Sequence, residues 1–290
     1  MKHVYIHIPF CKNICSYCDF CKMYHLPKFT ENYFEALKKE VEDSYMDELI
    51  STIYIGGGTP SCLTNEELDK LFNIVSIFKK STDCEFTFEC NPEDITEELI
   101  TYLIKNGINR LSIGVESFNK ENLEFMERKM DYKDLEEKLN MIRAKGINNI
   151  NLDLIYALPN ESLDTLKKDV KKLLKLNPEH ISTYSLIIEE DTKLKLNNTS
   201  YIDEELDAKM YDYICSKLKK HYTHYEVSNF AKEGFESKHN MAYWLNEEYY
   251  GFGLGASGYI NGFRYENTHN LNDYLEGEYH KEESLLSNEE

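Results

Sequence analysis

The chain has 290 residues, with 33 Lys plus Arg against 52 Asp plus Glu and a formal net charge of −19. Apolar residues make up 41% and aromatics 13%, a composition that excludes a fully disordered chain. No apolar run approaches the ~20 residues that cross a bilayer, and the acidic balance argues against nucleic acid as the main partner, because phosphate binding calls for clustered Lys and Arg.

Residues 1–7 carry neither an apolar signal core nor a small-residue cleavage site, so export is not expected and a cytoplasmic location is. From there a strand followed by a helix recurs. Strands are predicted over 4–8, 52–55, 85–90, 110–115, 149–155 and 180–187. Helices are predicted over 31–45, 65–80, 97–106, 133–145, 163–176 and 204–219. Thr64-Asn65-Glu66-Glu67 reads as a capping box at a helix start. Gly107 and Gly146 each follow a Lys-bearing last turn, where a left-handed cap is wanted.

Six β-α units in series predict an α/β fold, an open (β/α)6 partial TIM-type barrel with a wide mouth. In such folds the chemistry gathers at the C-terminal ends of the strands. The core unit is expected over 1–220, and a partial, apparently truncated C-terminal region over 221–290. In that region a further strand is predicted over 225–229, followed by a stretch crowded with Gly251, Gly253, Gly255, Gly258 and Gly262. Residues 277–290 are acidic and polar. Ser287-Asn288-Glu289-Glu290 reads as a capping box with no helix after it, so the tail is expected to be disordered or to lead into a further domain.

Four of the eight cysteines fall within residues 11–21, in a chain neither short nor secreted, so the cluster reads as a metal site and not a disulfide framework. Cys11, Cys15 and Cys18 form C-x3-C-x2-C directly after the first strand. Three thiolates on one loop can hold three irons of a [4Fe–4S] cluster and leave the fourth open. An open iron can chelate an amino and a carboxylate group, which S-adenosylmethionine offers. The alternative is structural zinc with Cys21 as fourth ligand. Such sites usually pair two separated knuckles, and there is no second one here, so spacing favours the cluster over zinc. A covalent haem site would need His after Cys18, where Asp19 stands. Cys62, Cys84, Cys90 and Cys215 read as small buried hydrophobes.

The run Tyr5-Ile6-His7-Ile8-Pro9-Phe10-Cys11, with Cys15 and Cys18, resembles the radical S-adenosylmethionine superfamily. More narrowly it resembles the HemN/HemW branch, which holds the oxygen-independent coproporphyrinogen III oxidase and the haem chaperone. Further motifs carry the resemblance over most of the chain. Gly56-Gly57-Gly58-Thr59-Pro60 matches the family's GGGTP, which implies that Gly57, Gly58 and Thr59 hold the methionine amino group of the cofactor. Glu89, in Glu89-Cys90-Asn91-Pro92, matches a cofactor-contacting Glu. In Leu111–Asn119 the family commonly has Gln where this chain has Glu116, and a carboxylate cannot donate as an amide does. Arg128 matches an Arg used around the cofactor carboxylate. Asp153, in a run like the family's DLIYGLP with Ala157 for Gly, would accept from ribose hydroxyls. Tyr5 and Tyr17 complete the expected pocket, and His7 reads either as packing or as a residue supporting the pocket from behind.

Three features lean toward the chaperone. The first strand begins by residue 4, without the oxidase's N-terminal extension. Cys18-Asp19-Phe20 resembles the chaperone's CDF, with Cys21 unusual for either. His239-Asn240-Met241-Ala242-Tyr243-Trp244 is the chaperone's HNxxYW motif. His239 is the candidate haem ligand, weighed against a hydrogen-bonded structural histidine. The resemblance thus implies a [4Fe–4S] cluster, S-adenosylmethionine and haem, with a haem-accepting protein and an electron donor as partners and membrane contact at most peripheral. Assigned as a chaperone, the chain has no catalytic residue, and radical oxidation of coproporphyrinogen is the alternative activity.

Overall fold

The computed structural model describes residues 1–285, so the expectation for Ser287 lies outside the described residues. Strand β1 (Lys2–Ile8) leads into a loop closed by β2 (Phe10–Cys11) and β3 (Met23–Tyr24). Then follow α1 (Pro27–Ser44), β4 (Leu49–Gly57), α2 (Asn65–Val75), β5 (Lys79–Cys90), α3 (Glu97–Lys105) and β6 (Arg110–Glu116). The short α4 (Lys120–Phe125) precedes α5 (Tyr132–Ala144), β7 (Asn149–Tyr156), α6 (Leu163–Leu176) and β8 (His180–Ser185). After α7 (Lys193–Leu196) and α8 (Glu204–Leu218) come β9 (Thr223–His224), β10 (Asn229–Ala231), α9 (Lys238–Trp244), β11 (Tyr249–Phe252), β12 (Ser257–Ile260), β13 (Phe263–Asn267), α10 (Leu271–Glu276) and β14 (His280–Leu285).

One 12-stranded sheet has the order β14-β13-β12-β11-β1-β4-β5-β6-β7-β8-β10-β9. The run from β11 to β8 is parallel throughout, and antiparallel strands extend it at both ends. This is the expected partial barrel with one addition: β11, from the glycine-crowded stretch, docks parallel to β1 as a seventh member of the run.

Period-2 alternation explains how the strands sit. Val4, Ile6 and Ile8 of β1, Ile53 and Ile55 of β4, Phe86 and Phe88 of β5, and Leu111, Ile113 and Val115 of β6 are buried in the core shared with the helices. The intervening positions are polar: His3, Tyr5 and His7; Thr52 and Tyr54; Glu85, Thr87 and Glu89; Arg110, Ser112 and Glu116; Asn151 and Asp153; His180 and Ser182. Many of these line a cavity inside the barrel. TIM barrels usually fill that space with branched apolar side chains; here it is left polar.

The helices cover the apolar face with matching stripes, as in Leu166, Val170 and Leu173 of α6. The capping box at Thr64 is present in both directions, and Gly107 and Gly146 have φ of +92° and +108°. The helix predicted from 31 begins at Pro27 and the strand predicted from 85 begins at Lys79, and three further segments need correction. The helix from 65 stops at Val75 because Lys79 and Lys80 already pair with Leu49 and Ile50. The strand from His180 ends at Ser185, not 187. The strand placed at 225–229 is two strands, β9 and β10, flanking a turn.

Candidate functional site

The loop carrying Cys11, Cys15 and Cys18 leaves β1 at the C-terminal end of the sheet. Backbone bonds from Met23 to Pro9 (2.7 Å) and from His25 to Cys11 (2.9 Å) close it. Ser16 anchors its middle, with its N–H donating to Met126 O at 3.2 Å and its hydroxyl to Phe125 O at 2.9 Å. Its base rests on the glycine turn after β4, where Gly58 N–H donates to Ile8 O and Thr59 N–H to Phe10 O, each at 2.8 Å. That contact explains two glycines. Gly57 has φ +109°, and a Cβ on Gly58 would stand 2.8–2.9 Å from backbone atoms of Ile8, Pro9 and Phe10.

A polar chain joins two of the thiols. Thr59 Oγ1 donates to Cys11 Sγ at 3.4 Å, Asn91 Nδ2 donates to Thr59 Oγ1 at 3.4 Å, and Arg128 Nη2 donates to Asn91 Oδ1 at 3.0 Å. Arg128 Nη1 then donates to Cys15 Sγ at 3.4 Å, and Nη2 also meets Gly114 O. Asn91 was not singled out from the sequence, although it sits inside the motif that carries Glu89. Burial pushes the Cys11 thiol up and the Cys18 thiol up to about 12. A positive ion would be needed to draw these sulfurs into the thiolate form.

The three cysteines, Tyr17, Gly57, Gly58, Thr59, Glu89, Glu116, Arg128 and Asp153 line one cavity of about 460 Å³. Glu89 accepts from Tyr54 Oη (2.7 Å) and Gly57 N (3.0 Å). Burial raises its carboxyl to about 7; its two donors oppose that, and the negative Asp153 and Glu116 add to it. Glu116 is held at φ +65°. Burial likewise brings its carboxyl to about 7, against the pull of Arg128. Both crowd Gly114, where a Cβ would lie 2.8 Å from Glu116 Oε1 and 3.2 Å from Arg128 Nη2. Asp153 accepts from Asn151 Nδ2 at 2.7 Å and Ser112 Oγ at 3.4 Å; burial raises it, with those donors opposing. Burial works against the charge on Arg128, but Tyr17, Glu116 and Cys15 around it hold the guanidinium charged.

Tyr5, Cys21 and His239 stand apart from this cavity. Tyr5 and Cys21 line a neighbouring pocket with His7, Tyr243 and His269. His7 is neutral, its pKa lowered to about 4 by burial. Its Nε2 donates to Cys21 O at 2.7 Å, so Nδ1 is left to accept from Tyr5 Oη at 3.0 Å. Tyr5 thus reaches the loop through His7, while its ring lies 6.1 Å from that of Tyr54 on the main cavity. Cys21 does not join the other three cysteines in the cavity, so the four-cysteine zinc arrangement is not assembled. Among the described residues no group of three or more His, Cys, Asp or Glu converges on a single ion position. Cys62, Cys84, Cys90 and Cys215 are buried, as expected.

His239 is 1% exposed. Its Nδ1 lies 2.6 Å from Thr52 Oγ1 and its Nε2 2.8 Å from Tyr243 Oη. Thr52 in turn meets His3 Nδ1 at 2.9 Å, and His3 Nε2 meets Glu247 at 2.8 Å. The hydroxyl of Thr52 thus donates to His3 and accepts from His239, which turns the Nε2 lone pair toward Tyr243. Ligation of an iron by that nitrogen would require Tyr243 to swing away. In the same helix Asn240 lines the main cavity, and Trp244 is 59% exposed.

The model of the radical SAM superfamily matches residues 5–173. The haem chaperone HemW of Lactococcus lactis is 42% identical over 280 residues, covering 93% of this chain and 73% of that protein. HemW of Bacillus subtilis is 41% identical over 286 residues, covering 95% and 76%. The chain belongs to the radical SAM superfamily and, within it, to the HemW family. Membership implies a [4Fe–4S] cluster and S-adenosylmethionine. Three cysteines on one cavity wall, with Cys21 turned away, fit a cluster held at three corners. The coproporphyrinogen III oxidase HemN of Escherichia coli superposes with a TM-score of 0.88 at 23% identity, over 99% of this chain and 72% of that one, and so supports the fold. No helix among the described residues is long and apolar enough to cross a membrane.

Proposed function

We propose that this HemW-family chain is a cytoplasmic haem chaperone that binds a [4Fe–4S] cluster, S-adenosylmethionine and haem, and passes haem to an acceptor protein. The observation that carries the reading is the single cavity shared by three cysteines, a glycine turn, Arg128 and three carboxyl groups, in a chain whose relatives are named haem chaperones.

Cys11, Cys15 and Cys18 would hold three irons. When bound, the cluster supplies an open iron position and one-electron chemistry, with electrons from a separate donor. The chain's own groups complete the pocket. The N–H groups of Gly57, Gly58 and Thr59 are already used within the protein, and Thr59 O accepts from Cys62 N, which leaves the glycine carbonyls of this turn to accept from an ammonium group. Glu89 and Glu116 give that end of the cavity a negative character suited to a sulfonium cation. Arg128 is placed for a carboxylate, and Asp153, already fixed by Asn151 and Ser112, for a hydroxyl pair. The neutral His7 and Tyr5 hold the far end of the cysteine loop in position.

The test is a haem titration followed in the Soret region, paired with incubation of the reconstituted chain with coproporphyrinogen, S-adenosylmethionine and reductant. Saturable haem binding without porphyrinogen oxidation is expected. Formation of protoporphyrinogen would overturn the assignment in favour of the oxidase.

A further inference from the structure

The floor of the cavity holds a group that neither the motifs nor the relatives assign. Arg110 opens β6. It is 2% exposed, among the largest fully buried side chains, and it lines the cavity. Its Nε has no partner, and no ion pair or hydrogen bond engages the guanidinium among the described residues. A buried charge is ordinarily paired, so the surroundings matter.

Tyr54, Asp153, His180, Tyr225 and His239 lie close enough to feel its charge. Each already has a partner elsewhere. Tyr54 donates to Glu89. Asp153 accepts from Asn151 and Ser112. His180 has Nδ1 2.6 Å from Asn151 Oδ1 and Nε2 2.7 Å from Tyr225 Oη. His239 is bound by Thr52 and Tyr243. The groups around Arg110 thus bond to one another and not to its guanidinium, although the Asp153 carboxylate lends it opposite charge, and its donors are left to the cavity.

Arg128 differs. It donates to Cys15, Asn91 and Gly114 at the mouth. Arg110 and Gly114 are four residues apart on one strand, roughly 13 Å at strand rise. Two guanidinium groups thus mark opposite ends of one cavity, and the deeper one is unpaired.

The geometry points to a carboxylate-binding site at Arg110, on the barrel floor. A guanidinium fork takes a carboxylate through two parallel N–H···O bonds, a match that an ammonium group or neutral donor lacks. Which molecule supplies the carboxylate rests on the proposed function: the α-carboxylate of S-adenosylmethionine belongs at the cysteine end of the cavity, which leaves a propionate of haem for Arg110.

The wild-type, cluster-loaded chain is titrated spectroscopically with haem and with its dimethyl ester, which lacks the carboxylates. Haem is expected to bind about tenfold more tightly or better, and Arg110→Gln should bring that ratio close to one. In Arg128→Gln part of the discrimination should persist. If Arg110→Gln does not fold by circular dichroism, Arg110→Lys replaces it and should lower the ratio without abolishing it. Equal binding of haem and its ester to the wild-type chain would overturn the site, as would a wild-type ratio surviving in any folded Arg110 variant. Failure of haem itself to bind would instead overturn the proposed function, and this inference with it.

Discussion

Arg128 shows how one side chain can organise a site. It reaches Cys15, Asn91 and the carbonyl of Gly114, so it ties the cysteine loop to the ends of β5 and β6. Cys11 and Cys15 thereby share one hydrogen-bond chain, whereas Cys21 shares none of it. Cys11→Ala, Cys15→Ala and Cys18→Ala should each reduce iron after anaerobic reconstitution to a small fraction of the wild-type value of about four per chain, while Cys21→Ser leaves it unchanged. Iron and sulfide analysis checks this, and loss of iron in the Cys21 variant would restore the four-cysteine arrangement. His180 makes a second prediction. Burial holds its pKa well below 6.5 in the folded chain, so between those values the unfolded chain binds a proton that the folded chain does not. Its contribution is present above about pH 6.5 and is lost as pH falls below it, by up to about 1.4 kcal/mol per pH unit. His180→Gln should flatten the acid side of the urea stability profile by that slope, and parallel profiles would contradict the assignment.

Among the elements, the cysteine loop and the glycine turn after β4 behave as one unit. Gly58 lies against the backbone of Ile8, Pro9 and Phe10. Gly58→Ala must push β1 and the turn apart, at a cost of about 1–3 kcal/mol. The expected result is impaired iron retention with a nearly unchanged far-UV spectrum, and full iron retention would show that the contact relaxes cheaply. Thr64 tests a more ordinary device. It caps α2 while Glu67 answers the cap and also holds His25, whose Nε2 lies 2.8 Å from Glu67 Oε2. Thr64→Ala should cost about 0.5–2 kcal/mol, read as a lower urea midpoint with an unchanged slope.

At the scale of the whole molecule, the parallel order, the helix caps and the three cysteines of the cavity were legible in the sequence, because strand alternation, capping residues and cysteine spacing are local signals. Gly57, Gly58, Thr59, Glu89, Glu116, Arg128 and Asp153 came from the family resemblance instead. What escaped needed long-range pairing. The strand β11 is four residues long, and only its place beside β1 makes it part of the parallel run. The motif around Tyr5 said nothing of its facing His7 and a second pocket. Arg110, Asn151 and Ser182 could have been found by asking why strands buried on both faces carry polar residues at every second position, since that alternation is the signature of a polar barrel interior. Asn91 had no such signal, because its link to Arg128 spans 37 residues.

The central claim is that Cys11, Cys15 and Cys18 would hold a cluster and leave one of its irons open to S-adenosylmethionine. Mössbauer spectroscopy of the iron-57 reconstituted chain, with and without S-adenosylmethionine, tests it most directly. The account predicts a [4Fe–4S] signal in which one iron site of the cluster changes its isomer shift when the ligand is added. A spectrum indifferent to the ligand, or a chain that takes up stoichiometric zinc in place of iron and sulfide, would contradict it.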